Sequence, residues 1–167
     1  MRIVFAPWRY DYVKSSDSAT TCVFCDIQAS SDDGASLIVF RGKHNFVVLN
    51  RYPYVSGHVM IVPYDHVDHL GRLSHEARAE MMALTNTALA ALGELYNPQG
   101  FNVGMNIGPA AGAGIADHIH MHAMPRWGGD TNFITVVGDT RVIPEDLSET
   151  YRKFRAYFER LDPKDIM

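Results

Sequence analysis

The chain has 167 residues, of which 47% are hydrophobic and 20% are charged, as expected for one globular domain. Its formal net charge of -4 gives no basic footprint for nucleic acid. No stretch approaches the roughly 20 apolar residues that cross a bilayer. We therefore expect a protein that binds neither nucleic acid nor membrane. The first apolar run is broken by Pro7 and Arg9 and does not look like a secretory signal, so we expect a cytoplasmic protein.

Hydrophobic periodicity predicts an α+β fold with about five strands and two helices. The strands are apolar runs bounded by turn residues, at 37–40, 45–49, 58–62, 101–107 and 118–124. The long helix is predicted over 74–95, with Ser74 as its N-cap, and a second helix over about 148–161. Because the helices do not alternate with single strands, we expect an antiparallel sheet with the helices on one face.

Three histidines alternate with apolar residues in the segment His118-Ile-His-Met-His122. Alternate side chains of a strand share a face, so His118, His120 and His122 are predicted to lie in one row. One neutral imidazole could attack phosphorus while a neighbour donates a proton to the phosphate or the leaving group. The preceding glycine-rich loop, 108–114, could turn backbone amides toward the same anion. The pattern is also compatible with zinc chelation or with a chance run of exposed histidines.

Cys22 and Cys25 form a Cys-x-x-Cys motif in a segment predicted to be a loop before the first strand. A redox role would require a thioredoxin-like βαβ context, which the sequence does not predict. A zinc site would require two further ligands, and histidine must supply them because the chain has two cysteines. Two thiols without a metal are the remaining interpretation. The candidate histidine ligands are His44, His58, His66, His69, His75 and His118.

The histidine segment matches the His-φ-His-φ-His-φ-φ pattern, with φ hydrophobic, and resembles the histidine triad (HIT) superfamily. Residues 50–63 resemble the nucleoside-binding segment of that family, and 104–108 resemble its Gly-x-Asn-x-Gly stretch. Residues 125–133 are similar to the branch of Fhit-like proteins and diadenosine tetraphosphate phosphorylases.

The resemblance implies a single HIT-like domain. Its parts would be an N-terminal segment with the cysteine pair (1–36), a HIT core (37–126) and a C-terminal extension (127–167). It also implies a homodimer in which two sheets join into one.

Catalytic roles follow from the same resemblance. His120, the middle histidine, would be the nucleophile, and His122 would hydrogen-bond the reacting phosphate. His118 would be mainly architectural.

Substrate contacts are implied as well. Asn50 matches the ribose-holding position, His58 a supporting histidine and Asn106 a polar residue near the phosphates, while Gly114 belongs to the phosphate loop. Many relatives carry a hydroxyl residue shortly before the triad. Residues 113–117 have none, so backbone amides would have to replace it.

Some relatives carry structural zinc on a cysteine pair, a histidine after the third strand and the first triad histidine. By position this set corresponds to Cys22, Cys25, His66 and His118, with His69 as the alternative to His66.

The implied function is hydrolysis or phosphorolysis of dinucleoside polyphosphates of the diadenosine tetraphosphate type through a covalent nucleotidyl-histidine. The alternatives are a nucleoside phosphoramidase or another nucleotidyl transferase, and a non-catalytic nucleotide-binding or interaction module.

Overall fold

A five-stranded antiparallel sheet forms the centre of the part of the chain that the computed structural model describes, namely residues 21–130 and 143–162 with 135, 137 and 166. Its strands are β1 (Ile38–Arg41), β2 (Asn45–Leu49), β3 (Val59–Pro63), β4 (Gly100–Gly104) and β5 (Met121–Arg126). The order β1-β2-β3-β5-β4 places β5 between β3 and β4. The predicted antiparallel α+β fold is confirmed. Residues 1–20 of the predicted N-terminal segment, and most of 131–142 in the predicted extension, lie outside the described residues.

Four α-helices with described bounds accompany the sheet: α1 (Val23–Ala29), α2 (Asp33–Ser36), α3 (His75–Tyr96) and α4 (Leu147–Glu159). The long helix α3 packs against β2, β3 and β5, and α4 packs against β1 and α3. The predicted N-cap is confirmed, because the Ser74 hydroxyl accepts a hydrogen bond from the Ala77 amide at 3.0 Å. None of the described helices is long and apolar enough to cross a lipid bilayer.

The core lies between α3 and the central strands. Strands β2 and β3 are buried along their whole length, as their continuous apolar runs predict. Gly57 leads into β3 with a positive φ of 80°, and a Cβ there would lie 2.9 Å from Cδ2 of Leu92. Glycine is therefore required where the chain enters β3 beside His58.

The first two triad histidines do not lie on a strand, which corrects the sequence prediction of a strand over 118–124. Strand β5 begins at Met121. The preceding segment bonds instead to the loop after β3, where the Ile119 amide donates to the Val67 carbonyl at 2.7 Å. This bond takes residues 118–120 out of the ladder with β3. The alternation of the triad therefore does not continue a regular strand.

Three further local predictions were wrong. The cysteine motif is not in a loop, because Cys22 is the N-cap of α1 and Cys25 lies inside that helix. Part of the predicted loop 29–36 forms the short helix α2, whose N-cap Asp32 accepts from the Ala35 amide at 2.9 Å. Strand β4 also ends at Gly104, earlier than the predicted end at residue 107.

Candidate active site and metal centre

His120 is nearly enclosed, with 5% of its surface exposed, and its ring is fixed by one backbone contact. Its Nδ1 lies 2.8 Å from the carbonyl oxygen of His118, so Nδ1 carries the proton and donates it to that acceptor. Burial lowers the pKa of His120, and the contact with the carbonyl offsets part of that shift. The Nε2 atom keeps its lone pair, and it makes no hydrogen bond to any described residue. His120 therefore presents a neutral, nucleophilic nitrogen.

His122 presents the opposite chemical group, because its tautomer is set by His58. The Tyr54 amide donates to Nδ1 of His58 at 3.2 Å, and Nδ2 of Asn50 lies 3.3 Å from the same atom. His58 must then carry its proton on Nε2, which lies 2.9 Å from Nδ1 of His122. Nδ1 of His122 accepts a hydrogen bond from this N–H group, so His122 carries its own proton on Nε2. The geometry thus makes His122 a hydrogen-bond donor toward the open side of the site.

His58 and His122 are both held neutral by their surroundings. Burial, together with the neighbouring His122 and His120, lowers the pKa of His58 to about 3. Burial and the nearby His120 lower the pKa of His122 to about 4. The rings of His120 and His122 lie 4.8 Å apart between centroids at an angle of 73°. A lone pair and an N–H group are therefore adjacent, as nucleophilic attack on a phosphate requires.

His118 turns away from this pair, so the predicted single row of three imidazoles is wrong. Its Nδ1 lies 3.3 Å from Sγ of Cys22 and 3.7 Å from Sγ of Cys25. Its Nε2 lies 2.9 Å from the Pro63 carbonyl oxygen, to which it donates its proton. The Nδ1 lone pair therefore faces the two sulfurs.

Cys22, Cys25, His66 and His118 form one cluster, with their four candidate ligand atoms within 4.8 Å of one another. Nδ1 of His66 lies 3.3 Å from Sγ of Cys25. Tetrahedral zinc with bonds of about 2.3 Å to sulfur and about 2.0–2.1 Å to nitrogen separates neighbouring ligand atoms by roughly 3.5 Å. The Pro63 carbonyl behind His118 is the kind of outer partner that fixes a metal-binding imidazole. The donor set and its spacing fit zinc.

The other candidate histidine ligands lie outside this cluster. Nδ1 of His69, the alternative to His66, accepts from the Gly71 amide at 3.0 Å and caps the short 3-10 turn Leu70–Arg72. His58 belongs to the contacts around His122. The two that remain are His44 and His75, and neither joins the four ligand atoms.

The predicted substrate residues are placed as follows. Asn50 is half-buried beside His58, and its Oδ1 accepts from the Tyr52 amide at 2.9 Å. Asn106 lies just before the glycine-rich loop 108–114, with Nδ2 3.5 Å from the Gly112 carbonyl oxygen. Gly114 is exposed in the same loop. Within the described residues, neither Asn106 nor Gly114 hydrogen-bonds to the triad.

Phe24 is a residue that sequence reasoning missed. It occupies the third position of the cysteine motif and contacts the rings of both His118 and His120. An apolar residue enclosed between two metal-ligand positions gives no sequence signal of its own, so contact with the triad appears only in three dimensions.

Residues 33–129 match the HIT domain family model. An AP-4-A phosphorylase of Mycobacterium tuberculosis is 41% identical over 157 residues, covering 89% of this chain and 80% of that protein. The chain belongs to the HIT family.

Two further similar proteins bear on the site. A zinc-bound histidine triad family protein from Mycobacterium smegmatis has a TM-score of 0.66 and 28% identity, covering 87% of this chain and 96% of that one. An adenosine 5'-monophosphoramidase of Schizosaccharomyces pombe is 27% identical over 106 residues, covering 64% of this chain and 74% of that protein. The predicted HIT-like fold is thereby confirmed.

Proposed function

We propose that this protein cleaves dinucleoside polyphosphates of the diadenosine tetraphosphate type through a nucleotidyl intermediate on His120. The observation that carries the proposal is the adjacent pair formed by the His120 lone pair and the His122 N–H, with ring centroids 4.8 Å apart. The 41% identity to an AP-4-A phosphorylase supports the substrate class.

In the first step, Nε2 of His120 attacks the phosphorus that carries the nucleoside. A nitrogen–phosphorus bond forms, and the bond from that phosphorus to the bridging oxygen breaks. The electron pair leaves with the polyphosphate, which for diadenosine tetraphosphate is ATP. The N–H of His122 donates to the phosphate oxygens as negative charge develops on them. The His118 carbonyl keeps its bond to Nδ1–H and stabilises the imidazolium of the intermediate.

In the second step, an acceptor oxygen attacks the same phosphorus, and the electron pair of the nitrogen–phosphorus bond returns to His120. If the acceptor is inorganic phosphate, the released nucleotide is ADP. If the acceptor is water, which loses a proton, the released nucleotide is AMP. Splitting one difficult displacement into two easier ones is the advantage of the covalent route.

We assign the substrate contacts to the neighbourhood of this pair. Asn50 would hold the ribose, since its position beside His58 places an amide next to the reacting groups. Asn106 and Gly114 would lie against the polyphosphate, with amides of loop 108–114 replacing the hydroxyl that residues 113–117 lack.

Zinc is the proposed metal of the Cys22, Cys25, His66 and His118 cluster. The thiolate and imidazole donors, their spacing and the zinc-bound relative support this proposal. When bound, the ion crosslinks helix α1, the loop after β3 and the segment before β5. Four protein ligands leave no open position for a water nucleophile, so its role is structural.

We also propose that the protein is a homodimer formed through strand β4. Each chain would be a single domain with three parts, residues 1–36, 37–126 and 127–167. Strand β4 is one of the two edge strands of the sheet, and its side chains Phe101 and Val103 are 39% and 43% exposed. An exposed apolar edge strand is a template for pairing with another strand. The cytoplasmic location stays a prediction.

Product analysis tests the function. The purified protein is incubated with diadenosine tetraphosphate with and without inorganic phosphate, and in parallel with adenosine 5'-phosphoramidate. ATP with ADP, formed only when phosphate is present, indicates a phosphorylase, and ATP with AMP indicates a hydrolase. Turnover of the phosphoramidate alone would identify the phosphoramidase instead. No turnover of either nucleotide would favour a non-catalytic binding module.

A further inference from the structure

The two residues between the cysteines of the Cys-x-x-Cys motif have opposite environments. Val23 is 48% exposed, whereas Phe24 is 3% exposed. The Phe24 ring lies 4.9 Å from the His120 ring between centroids, tilted by 56°, and 5.3 Å from the His118 ring at 71°. One aromatic side chain therefore packs against both the proposed nucleophile and a proposed metal ligand.

The Phe24 side chain has little freedom to move once a metal is bound. Its backbone lies between Cys22 and Cys25, and the Cys22 carbonyl accepts the Asp26 amide at 3.0 Å across the first turn of α1. A metal that binds both sulfurs fixes the start of this helix relative to His118. A bound metal would then help to hold the phenyl ring, which is 3% exposed, in its position against His120.

The proposed nucleophile depends on this packing because one hydrogen bond, from Nδ1 to the His118 carbonyl, orients its ring within the described residues. That bond limits rotation of the ring about the Cβ–Cγ bond, and packing against neighbouring side chains limits this rotation further. The Phe24 face restricts that rotation and helps to keep Nε2 pointing toward the substrate. Small errors in the position of a reacting atom reduce rates strongly, by about 10²-fold for a displacement near 1 Å.

We infer that Phe24 is a positioning residue for His120, held in place by the metal that Cys22 and Cys25 bind. This inference rests on the proposed function, because it assigns the nucleophile to His120. It gives the cysteine motif a second purpose beyond stability: the motif places an aromatic ring against the reacting imidazole.

The test compares Phe24→Leu with Val23→Ala in the full-length, zinc-loaded protein. Val23 is the matched control, since it lies in the same motif but faces solvent. With diadenosine tetraphosphate as substrate, we expect Phe24→Leu to lower kcat about 10- to 100-fold, the usual effect of losing an outer supporting contact. The KM should stay within about twofold, because substrate contacts lie elsewhere. Val23→Ala should match the wild type, and elemental analysis should find the same zinc content in all three proteins.

A spectroscopic readout makes the test independent of turnover. Long-range proton–nitrogen NMR spectra of the ring nitrogens, assigned with His120→Ala, should show one tautomer of His120 in the wild type, protonated at Nδ1. Phe24→Leu should shift these resonances toward averaged values, and Val23→Ala should not. Phe24→Met serves as the second variant if Phe24→Leu does not fold, since it also keeps an apolar side chain of similar size.

Three outcomes would overturn the inference: an unchanged kcat with unchanged His120 resonances, a raised KM with normal kcat, or loss of zinc from both Phe24 variants. The first denies any role to Phe24, the second makes it a substrate contact, and the third makes it purely structural. If the wild type turns over no nucleotide, the proposed function fails, while the NMR comparison still decides whether Phe24 positions the ring.

Discussion

Nε2 of His58 donates to Nδ1 of His122 at 2.9 Å, and this bond decides which nitrogen of His122 can face a phosphate. The Tyr54 amide fixes the proton of His58, and His58 in turn fixes that of His122. We therefore expect His58→Phe, which can neither accept from Tyr54 nor donate to His122, to lower kcat about 10- to 100-fold with little change in KM.

His58→Gln is the matched variant for this chain of hydrogen bonds, because its amide can accept with oxygen and donate with nitrogen. It should retain most of the activity that His58→Phe loses, as measured by steady-state kinetics. Equal rates for the two variants would show that this chain of hydrogen bonds has no part in catalysis.

Replacement of the nucleophile should separate chemistry from binding. His120→Ala removes the attacking atom and with it the covalent route. Turnover of diadenosine tetraphosphate should therefore fall by several orders of magnitude. His122→Ala removes one donor and should cost only about 10²–10³ in kcat. Calorimetric titration with a non-cleavable nucleotide analogue should give similar affinities for wild type and His120→Ala. Near-normal turnover by His120→Ala, or a nucleotidylated peptide mapped to His122, would refute the assignment.

The stability of the fold should fall as the solution becomes acidic, in a window set by His58 and His122. Their folded pKa values of about 3 and about 4 lie below the unfolded value near 6.5. Their contribution is therefore fully present above pH 6.5, and it is lost as the pH falls toward the folded values because the unfolded chain takes up protons first. Between pH 7 and pH 5, urea unfolding should show a loss on the order of 1–2 kcal/mol for His58 alone.

The comparison protein for this measurement is His58→Gln, which cannot titrate. Both proteins are loaded with zinc, so acid effects on the metal ligands are common to both. The free energy of unfolding of His58→Gln should decline less over this range. Parallel decline in the two proteins would contradict the assigned cause.

Removal of the metal should destabilise the chain. Cys22→Ser should bind zinc poorly and unfold at a lower temperature than the wild type, because metal binding is coupled to folding. His69→Ala is the control, since within the described residues the His69 side chain caps a short turn and does not join the cluster. It should keep the zinc content of the wild type, as measured by elemental analysis. Zinc loss in His69→Ala with retention in Cys22→Ser would disprove the ligand set.

The proposed dimer can be tested at the edge strand. Val103→Glu places a charge on the exposed side of β4 and should convert the protein to a monomer in light scattering coupled to size exclusion. Met82→Glu introduces the same charge at a residue of α3 that is 57% exposed, and it should leave the oligomeric state unchanged. A wild type that is already monomeric at micromolar concentration would rule out the dimer.

Much of the fold was predictable because strong local signals determined it. Continuous apolar runs set β2 and β3, and the three- and four-residue spacing with the Ser74 cap set α3. The cluster of Cys22, Cys25, His66 and His118 could be named in advance only through the family resemblance. Residue spacing alone left six histidine candidates open.

The local geometry of the triad could not be predicted in the same way. Alternation of histidine and apolar residues has the period of a strand, but a tertiary bond from Ile119 to Val67 overrides that tendency. The tautomers of the histidines depend on the Tyr54 amide and on the carbonyls of Pro63 and His118. The sequence does not show which backbone groups a side chain will contact. Phe24 was missed for a related reason, because its packing against the triad joins residues that are far apart in the sequence.

The late start of β5 at Met121 has a chemical consequence. In a regular antiparallel strand, carbonyls point sideways to a neighbouring strand while side chains stand perpendicular to the sheet. The ring at position 120 could not then reach the carbonyl two residues before it. Only because the chain bends here does His118 offer its oxygen to His120. The irregular backbone before Met121 thus determines which nitrogen of His120 carries the proton. In a regular strand, His120 would lack this contact and would be a poorer nucleophile.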